Sequence, residues 1–397
     1  MGRIMADTFN FDEEINRREV PALKWHKMVL GEDGMGLFPG SVADMDFKAP
    51  PVVLAAMQKR LDHGVFGYET VPGGLLPALA SWLNTRHGWA VNPAHILRAP
   101  NVLNSMAMAI NTFTNAGDGL IVQPPVFFDF YDIAAENGRK IIPNPLIETN
   151  GHYTMDFADL EAKAADPSAK ILLLCNPHNP VGRVWTAEEL RHMGDICARH
   201  NVLVISDEIH GGITFEGHAY TPFASLGQAY SDNSITSLSP AKIFNIAGCG
   251  GAFTVVPEEV KRVAMQAANS ALTVNKNNAF ASVAMEAAYA GGGPWLDAAL
   301  AYLEGNARMV VAALAPTKAK VRLNEGMFLM WLDFRALGLS ADALHAFLRE
   351  KANMQLTRGI AFGPEGDGFA RLNIACPRPR LQAALDQLVK ALAASEY

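Results

Sequence analysis

Lys170 to His210 reads KILLLCNPHNPVGRVWTAEELRHMGDICARHNVLVISDEIH. Its opening run, Lys170–Cys175, is Ile/Leu-rich with no polar alternation, and so is Asn201–Ser206 near its end. Runs of this kind predict strands covered on both faces. Between them Ala187–His200 reads as a helix, with Thr186 as its N-cap and Glu188 and Glu189 in its first turn. Outward from this stretch the same alternation continues. Strands are expected at Gly119–Gln123, Ile235–Leu238 and Ala252–Val256, and helices at Asn104–Asn115, Asp129–Gly138 and Asp156–Ala165. Strand and helix in alternation over residues 50–290 predict an α/β fold with a mostly parallel sheet.

The ends differ. Residues 1–50 hold Gly31, Gly34, Gly36, Pro39 and Gly40 and read as largely irregular. Beyond Gly291-Gly292-Gly293-Pro294 the pattern becomes α+β. A long helix (Trp295–Leu314) precedes a strand (Met327–Phe334), a helix (Ala341–Lys351), a strand (Phe369–Ile374) and a last helix (Arg380–Ala394). Residues 51–290 are therefore expected as a large domain. Residues 1–50 and 291–397 are expected to meet in a smaller one.

The chain has 397 residues, too many for one ordinary core; 50% are hydrophobic and 18% charged, which excludes a disordered chain. A net charge of −7 argues against nucleic acid as a partner. No apolar run approaches the length of a membrane span. Met1 leads into Asp12-Glu13-Glu14 without an apolar leader, and Ala6 breaks the myristoylation pattern, so neither secretion nor a lipid anchor is expected. Cys175, Cys197, Cys249 and Cys376 lack metal spacing and read as free thiols of a cytoplasmic protein.

In an open α/β sheet ligands gather at the carboxyl ends of the strands. After Cys175 comes Asn176-Pro177-His178-Asn179-Pro180-Val181-Gly182, either a surface loop or a loop that aims an amide into a cleft. After Ser206 comes Asp207-Glu208-Ile209-His210. A buried acid there needs a partner: a protonated ring nitrogen, a metal shared with His210, or a helix it caps. After Leu238 comes Ser239-Pro240-Ala241-Lys242. Lys242 is a solvated surface lysine or a desolvated amine suited to Schiff-base chemistry. Arg371, inside the apolar pattern of residues 369–374, calls for an anion: an internal acid or a substrate carboxylate.

The order Asn179, Asp207, Lys242, Arg371, with the motifs around them, resembles fold-type I enzymes that use pyridoxal 5′-phosphate (PLP), within the aminotransferase class I/II superfamily. The sequence is most similar to the MalY/PatB branch of cystathionine β-lyase-like C–S lyases. Ala43-Asp44-Met45-Asp46-Phe47, Gly64-Val65-Phe66-Gly67-Tyr68, Trp331-Leu332-Asp333-Phe334-Arg335, Phe362-Gly363-Pro364-Glu365-Gly366 and Arg371-Leu372-Asn373-Ile374-Ala375-Cys376-Pro377-Arg378 carry it further, from Phe11 to Leu392. The resemblance implies the fold-type I architecture, a mostly parallel large domain with a smaller α+β one. It implies that Lys242 bonds the cofactor and shuttles the Cα proton, that Asp207 holds the ring nitrogen, and that Asn179 reaches the ring oxygen. Ser239 and the backbone at Val102 and Leu103 would take the phosphate, Phe127 would stack on the ring, His210 would line the site, and Arg371 would bind the substrate carboxylate. Tyr68 would reach the phosphate of a neighbouring subunit, making a homodimer with shared sites. No metal is implied.

Four positions depart from or refine the pattern. Phe127 stands where the lyases usually carry tyrosine, and Asn101 where the phosphate loop usually has glycine. His210 fits the lyase branch rather than the ordinary aminotransferases, which carry tyrosine. Gly250 replaces their phosphate-binding arginine. The expected reaction is therefore α,β-elimination on L-cystathionine or a related cysteine S-conjugate, giving a thiol, pyruvate and ammonia. Two other readings stand beside it: an aminotransferase, and a PLP-fold regulator acting through protein contacts.

Overall fold

Ile171, Leu173 and Cys175 pack to one side of the strand Ala169–Cys175, while Leu172 and Leu174 pack to the other, all of them buried. A strand apolar on both faces belongs in the middle of a covered sheet. The computed structural model describes residues 9–274 and 277–395 and places it there. The leader and lipidation readings fall partly on residues 1–8, outside the described residues.

Seven strands form the central sheet: β1 (Ile96–Ala99), β2 (Gly119–Val122), β3 (Lys140–Pro143), β4 (Ala169–Cys175), β5 (Leu203–Asp207), β6 (Ser234–Leu238) and β7 (Ala252–Val255). Their order is β1-β7-β6-β5-β4-β2-β3. β7 runs antiparallel to both neighbours, and the other pairings are parallel. The fold is α/β with a mixed, mostly parallel sheet. The five strands read from sequence all form, shifted at their ends by a residue or two. β1 and β3 were not among them. β1 is only four residues long, and β3 is a half-exposed edge strand ending in Pro143.

The helix between β4 and β5, Ala187–Arg199, starts on a capping box: Thr186 accepts from the Glu189 N–H and the Glu189 carboxylate accepts from the Thr186 N–H. The helix Val102–Phe113 begins two residues before its expected start, because Asn101 accepts from the Asn104 N–H and caps it. Asn101 has extended backbone there (φ −159°), which needs no glycine.

A second sheet is antiparallel, with strands β8 (Leu329–Asp333), β9 (Thr357–Arg358) and β10 (Phe369–Asn373) in the order β8-β10-β9. Its register sets Arg371 between Trp331 and Thr357. The N-terminal segment binds this region. Phe38 and Pro39 pair in parallel with Met354 and Gln355. The Asn373 side chain donates to the carbonyls of Val42 (2.6 Å) and Asp44 (2.7 Å). Residues 17–30 are less irregular than expected: they form short helical turns at Arg17–Glu19, Leu23–Trp25 and Lys27–Leu30.

Candidate active site

The carboxyl ends of β4, β5 and β6 lie side by side, with Cys175 opposite Asp207 and Asp207 opposite Ser237. The segments leaving these three strands therefore meet at one edge of the sheet. Asp207, last in β5, is 4% exposed, and its Oδ1 accepts the Ile209 N–H at 3.0 Å. Burial pushes the carboxyl up to about 6, against that hydrogen bond and the charge of Lys242. A carboxylate in this setting gains most from a cation brought against it.

Lys242 sits in the short helix Pro240–Ile243 beyond β6, between buried Pro240 and Ile243. Its Nζ donates to the Ala43 carbonyl at 2.6 Å. Burial pulls the amine below its ordinary value, and Arg371 pulls it further, while Asp44, Asp207 and Asp129 oppose them. Ser239, the N-cap of that helix, accepts the Ala241 N–H and donates to the Gly251 carbonyl at 2.8 Å. Val102 and Leu103 open the helix Val102–Phe113, whose first N–H groups have no preceding turn to bond. Such an end suits an anion.

Asn179 is buried and joins the two sheets: its Oδ1 accepts from Arg371 Nη1 at 3.0 Å. Its N–H donates to Cys175 Sγ at 3.3 Å. Arg371 is 3% exposed, and Nη2 donates to the Ser41 carbonyl (2.8 Å) and Thr357 Oγ1 (3.2 Å). Its ring neighbour is Phe362, 5.0 Å below the guanidinium. Among the described residues no carboxylate forms an ion pair with Arg371, and its Nε has no partner. The internal salt bridge left open by the sequence is thus absent among these residues. Burial pulls the guanidinium below its ordinary value, and an arriving anion would offset that penalty.

His210 is buried, with its ring edge-on to Phe328 (6.0 Å) and Nδ1 unpartnered. Burial, then Lys242 and Arg371, hold it well below its ordinary value, so the ring is neutral. Phe127 is half-buried beside Phe128 (4.9 Å). Tyr68 does not join this group within one chain: it is fully exposed.

Several neighbours escaped the sequence reading. Ser41 and Thr357 hold Arg371, the Ala43 carbonyl holds Lys242, and Cys175 Sγ holds the Asn179 backbone. Ala43 and Cys175 lie in stretches the sequence singles out, whereas Ser41 and Thr357 do not. Asp129 was read as a helix start, yet its charge acts on Lys242, Arg371 and Asp207. The metal option for Asp207, Glu208 and His210 finds no cluster of three or more ligating side chains among the described residues. Glu208 instead accepts from Ser206 Oγ, the Phe223 N–H and the Tyr220 hydroxyl.

The arrangement combines a desolvated amine, a buried acid awaiting a cation, an anion-binding helix end and a buried arginine without an acid. It suits a flat, anionic cofactor with a basic ring, and an amino-acid substrate held by its carboxylate.

Residues 33–388 match the family described as Aminotransferase class I and II. Cystathionine β-lyase PatB of Bacillus subtilis is 42% identical over 96% of this chain and 100% of its own. Cystalysin from Treponema denticola, solved with pyridoxal 5′-phosphate, superposes with a TM-score of 0.94 at 35% identity, over 97% of this chain and 99% of its own. The PLP-bound C–S lyase of Staphylococcus hominis, complexed with L-cycloserine, gives 0.90 at 30%, over 97% and 98%.

Proposed function

The chain belongs to the aminotransferase class I and II family, and from that premise we propose that it is a PLP-dependent C–S lyase acting by α,β-elimination on L-cystathionine or related cysteine S-conjugates. The observation that carries the reading is Arg371: buried, without an acid among the described residues, and coupled in charge to Lys242. A buried guanidinium that forms no ion pair among the described residues is a site for a carboxylate from outside.

PLP supplies an electron-withdrawing ring that makes the substrate Cα–H acidic. The chain's residues do the rest. Lys242 holds the cofactor and, once freed from it, takes the Cα proton on Nζ; burial, which lowers its proton affinity, suits it to act as a base. Asp207, whose carboxyl burial disfavours as an anion, would pair with the ring nitrogen of the cofactor and favour its protonated form. Asn179 meets the ring oxygen while its Oδ1 steadies Arg371. Ser239 and the N–H groups of Val102 and Leu103 receive the phosphate, with Phe127 and neutral His210 closing the ring's surroundings. The Cβ–S bond breaks, the thiol leaves, and water converts the remainder to pyruvate and ammonia.

An aminotransferase would share the proton abstraction and then return the proton to the cofactor. One feature favours the lyase. Gly250 (φ +71°) and Gly251 (φ +98°) occupy backbone that side chains rarely adopt, so no arginine arm reaches the phosphate from Gly250.

A homodimer completes the proposal. Val52, Leu54, Leu61, Val65, Phe66 and Tyr68 are exposed together along the helix Pro51–His63 and the segment after it, an apolar stretch suited to a second copy. Tyr68 of the partner subunit would then reach the phosphate. The division of the chain at Gly291–Pro294 belongs to the same reading, with Arg371 on the smaller part closing over Lys242. A reducing, cytoplasmic setting is supported by four unpaired thiols. The test is incubation of holoenzyme with L-cystathionine. Pyruvate and free thiol should form, and both should vanish, with the cofactor's visible absorbance, in Lys242→Ala.

A further inference from the structure

Opposite the cations Lys242 and Arg371 lies a wall made by residues 124–131 and the loop 362–365. The two segments are tied together: the Val126 N–H (3.0 Å) and the Tyr131 hydroxyl (3.2 Å) both donate to the Phe362 carbonyl. Phe128 packs on the Phe362 ring at 5.6 Å, and the same ring faces the Arg371 guanidinium. This wall therefore borders the carboxylate site directly.

It carries two acids that form no ion pair among the described residues. Asp129 follows Phe127 and Phe128, is half-buried, and among the described residues its carboxylate accepts no hydrogen bond and forms no ion pair. Phe130, Ile133 and Ala134 pack its helix, Asp129–Glu136, into the core. Asp129 opens this helix directly after Phe127 and Phe128, beside the Phe362 contact, and its charge acts on Lys242, Arg371 and Asp207. Glu365, across the junction, has no ion pair among the described residues, and its Oε2 is buried without a partner. A β-carbon built on Gly363 would meet both Glu365 Oε2 and the Tyr131 hydroxyl at 2.8 Å, so that carboxylate lies against the same wall.

Two unpaired carboxylates beside a substrate carboxylate site invite a positive charge further along the substrate. We propose that Asp129, reinforced by Glu365, makes this site select substrates whose sulfur leaving group carries a cationic amine. The inference rests on the C–S lyase reading and names the substrate class within it. Phe127 is consistent with this division: the stacking position offers no hydroxyl, so polar recognition of the leaving group falls to Asp129, two residues on.

The test uses substrates of nearly equal shape and different charge. For the holoenzyme, kcat/KM is measured with S-(2-aminoethyl)-L-cysteine and with S-propyl-L-cysteine. The ratio should favour the amine and should fall about fivefold in Asp129→Asn, the worth of a partly solvated ion pair. Binding of L-lysine and L-norleucine, which have no sulfur to lose, is measured by calorimetry. Wild type should bind lysine the more tightly, and the variant should lose most of that difference. Equal binding of the two by wild type, or a preference that survives Asp129→Asn, overturns the proposal. If neither cysteine conjugate is cleaved, the lyase reading fails, and the lysine and norleucine comparison still decides the role of Asp129.

Discussion

Arg371 illustrates how single residues carry the chemistry. Its three protein acceptors, Asn179 Oδ1, the Ser41 carbonyl and Thr357 Oγ1, are all neutral, so they aim the guanidinium without cancelling it. Arg371→Lys keeps the charge and loses the planar fork. Its kcat/KM for L-cystathionine should fall about ten- to hundredfold, the worth of a charge-assisted hydrogen bond, mostly through KM. Steady-state kinetics at fixed pH measures this. Glu208 supplies a second prediction. Its buried carboxyl is pushed up from 4.5 to about 7, by burial against the hydrogen bonds of Tyr220, Phe223 and Ser206. Folded protein therefore holds this proton between those values while unfolded chain releases it. The contribution to stability should decline as pH rises from about 4.5 to about 7, by about 3 kcal/mol. Glu208→Gln should flatten that slope in urea titrations of the cofactor-free protein; an unchanged slope would count against it. At this scale the sequence was informative wherever a residue follows a strand, as Asn179, Asp207 and Lys242 do. It was silent on Ser41, which meets Arg371 across 330 positions. No local pattern encodes such a contact.

Elements hold these residues by burial and caps. β4 lies inside the sheet between β5 and β2, and Leu172, Leu173 and Leu174 are all 0% exposed. Leu173→Ala should cost about 2–5 kcal/mol, read as a lower midpoint in chemical denaturation. Thr186→Ala removes one half of a capping box and should cost about 1 kcal/mol, with little change in kcat because Thr186 lies outside the proposed site. The central strands were legible because both their faces are buried and the whole run is apolar. β3 and β1 were not, because β3 is an exposed edge and Arg98 breaks the apolar run of β1. The helix Val102–Phe113 starts two residues before the expected Asn104, because the Asn101 side chain accepts from the Asn104 N–H and caps it.

The whole molecule brings the two ends of the chain together. Arg17 pairs with Asp44 and Asp46, Lys24 and Arg380 also reach Asp46, and Ala43 in the same segment holds Lys242. The composition pointed to more than one core, but no local pattern places Asp46 beside Arg380 or Ala43 beside Lys242. The proposed dimer is tested at this scale. Lys242→Ala and Tyr68→Ala should each be impaired. Mixing them under conditions of subunit exchange should partly restore activity, since one site of the hybrid then has both residues intact. No recovery would contradict shared sites. The most direct test of the account tracks the fate of the amino acid itself. Holoenzyme is given L-cystathionine with an excess of an α-keto acid, and pyruvate, thiol and newly formed amino acid are counted together. Pyruvate and thiol in equal amounts, with little amino acid formed from the keto acid, is the predicted result; amino transfer without release of thiol would contradict it.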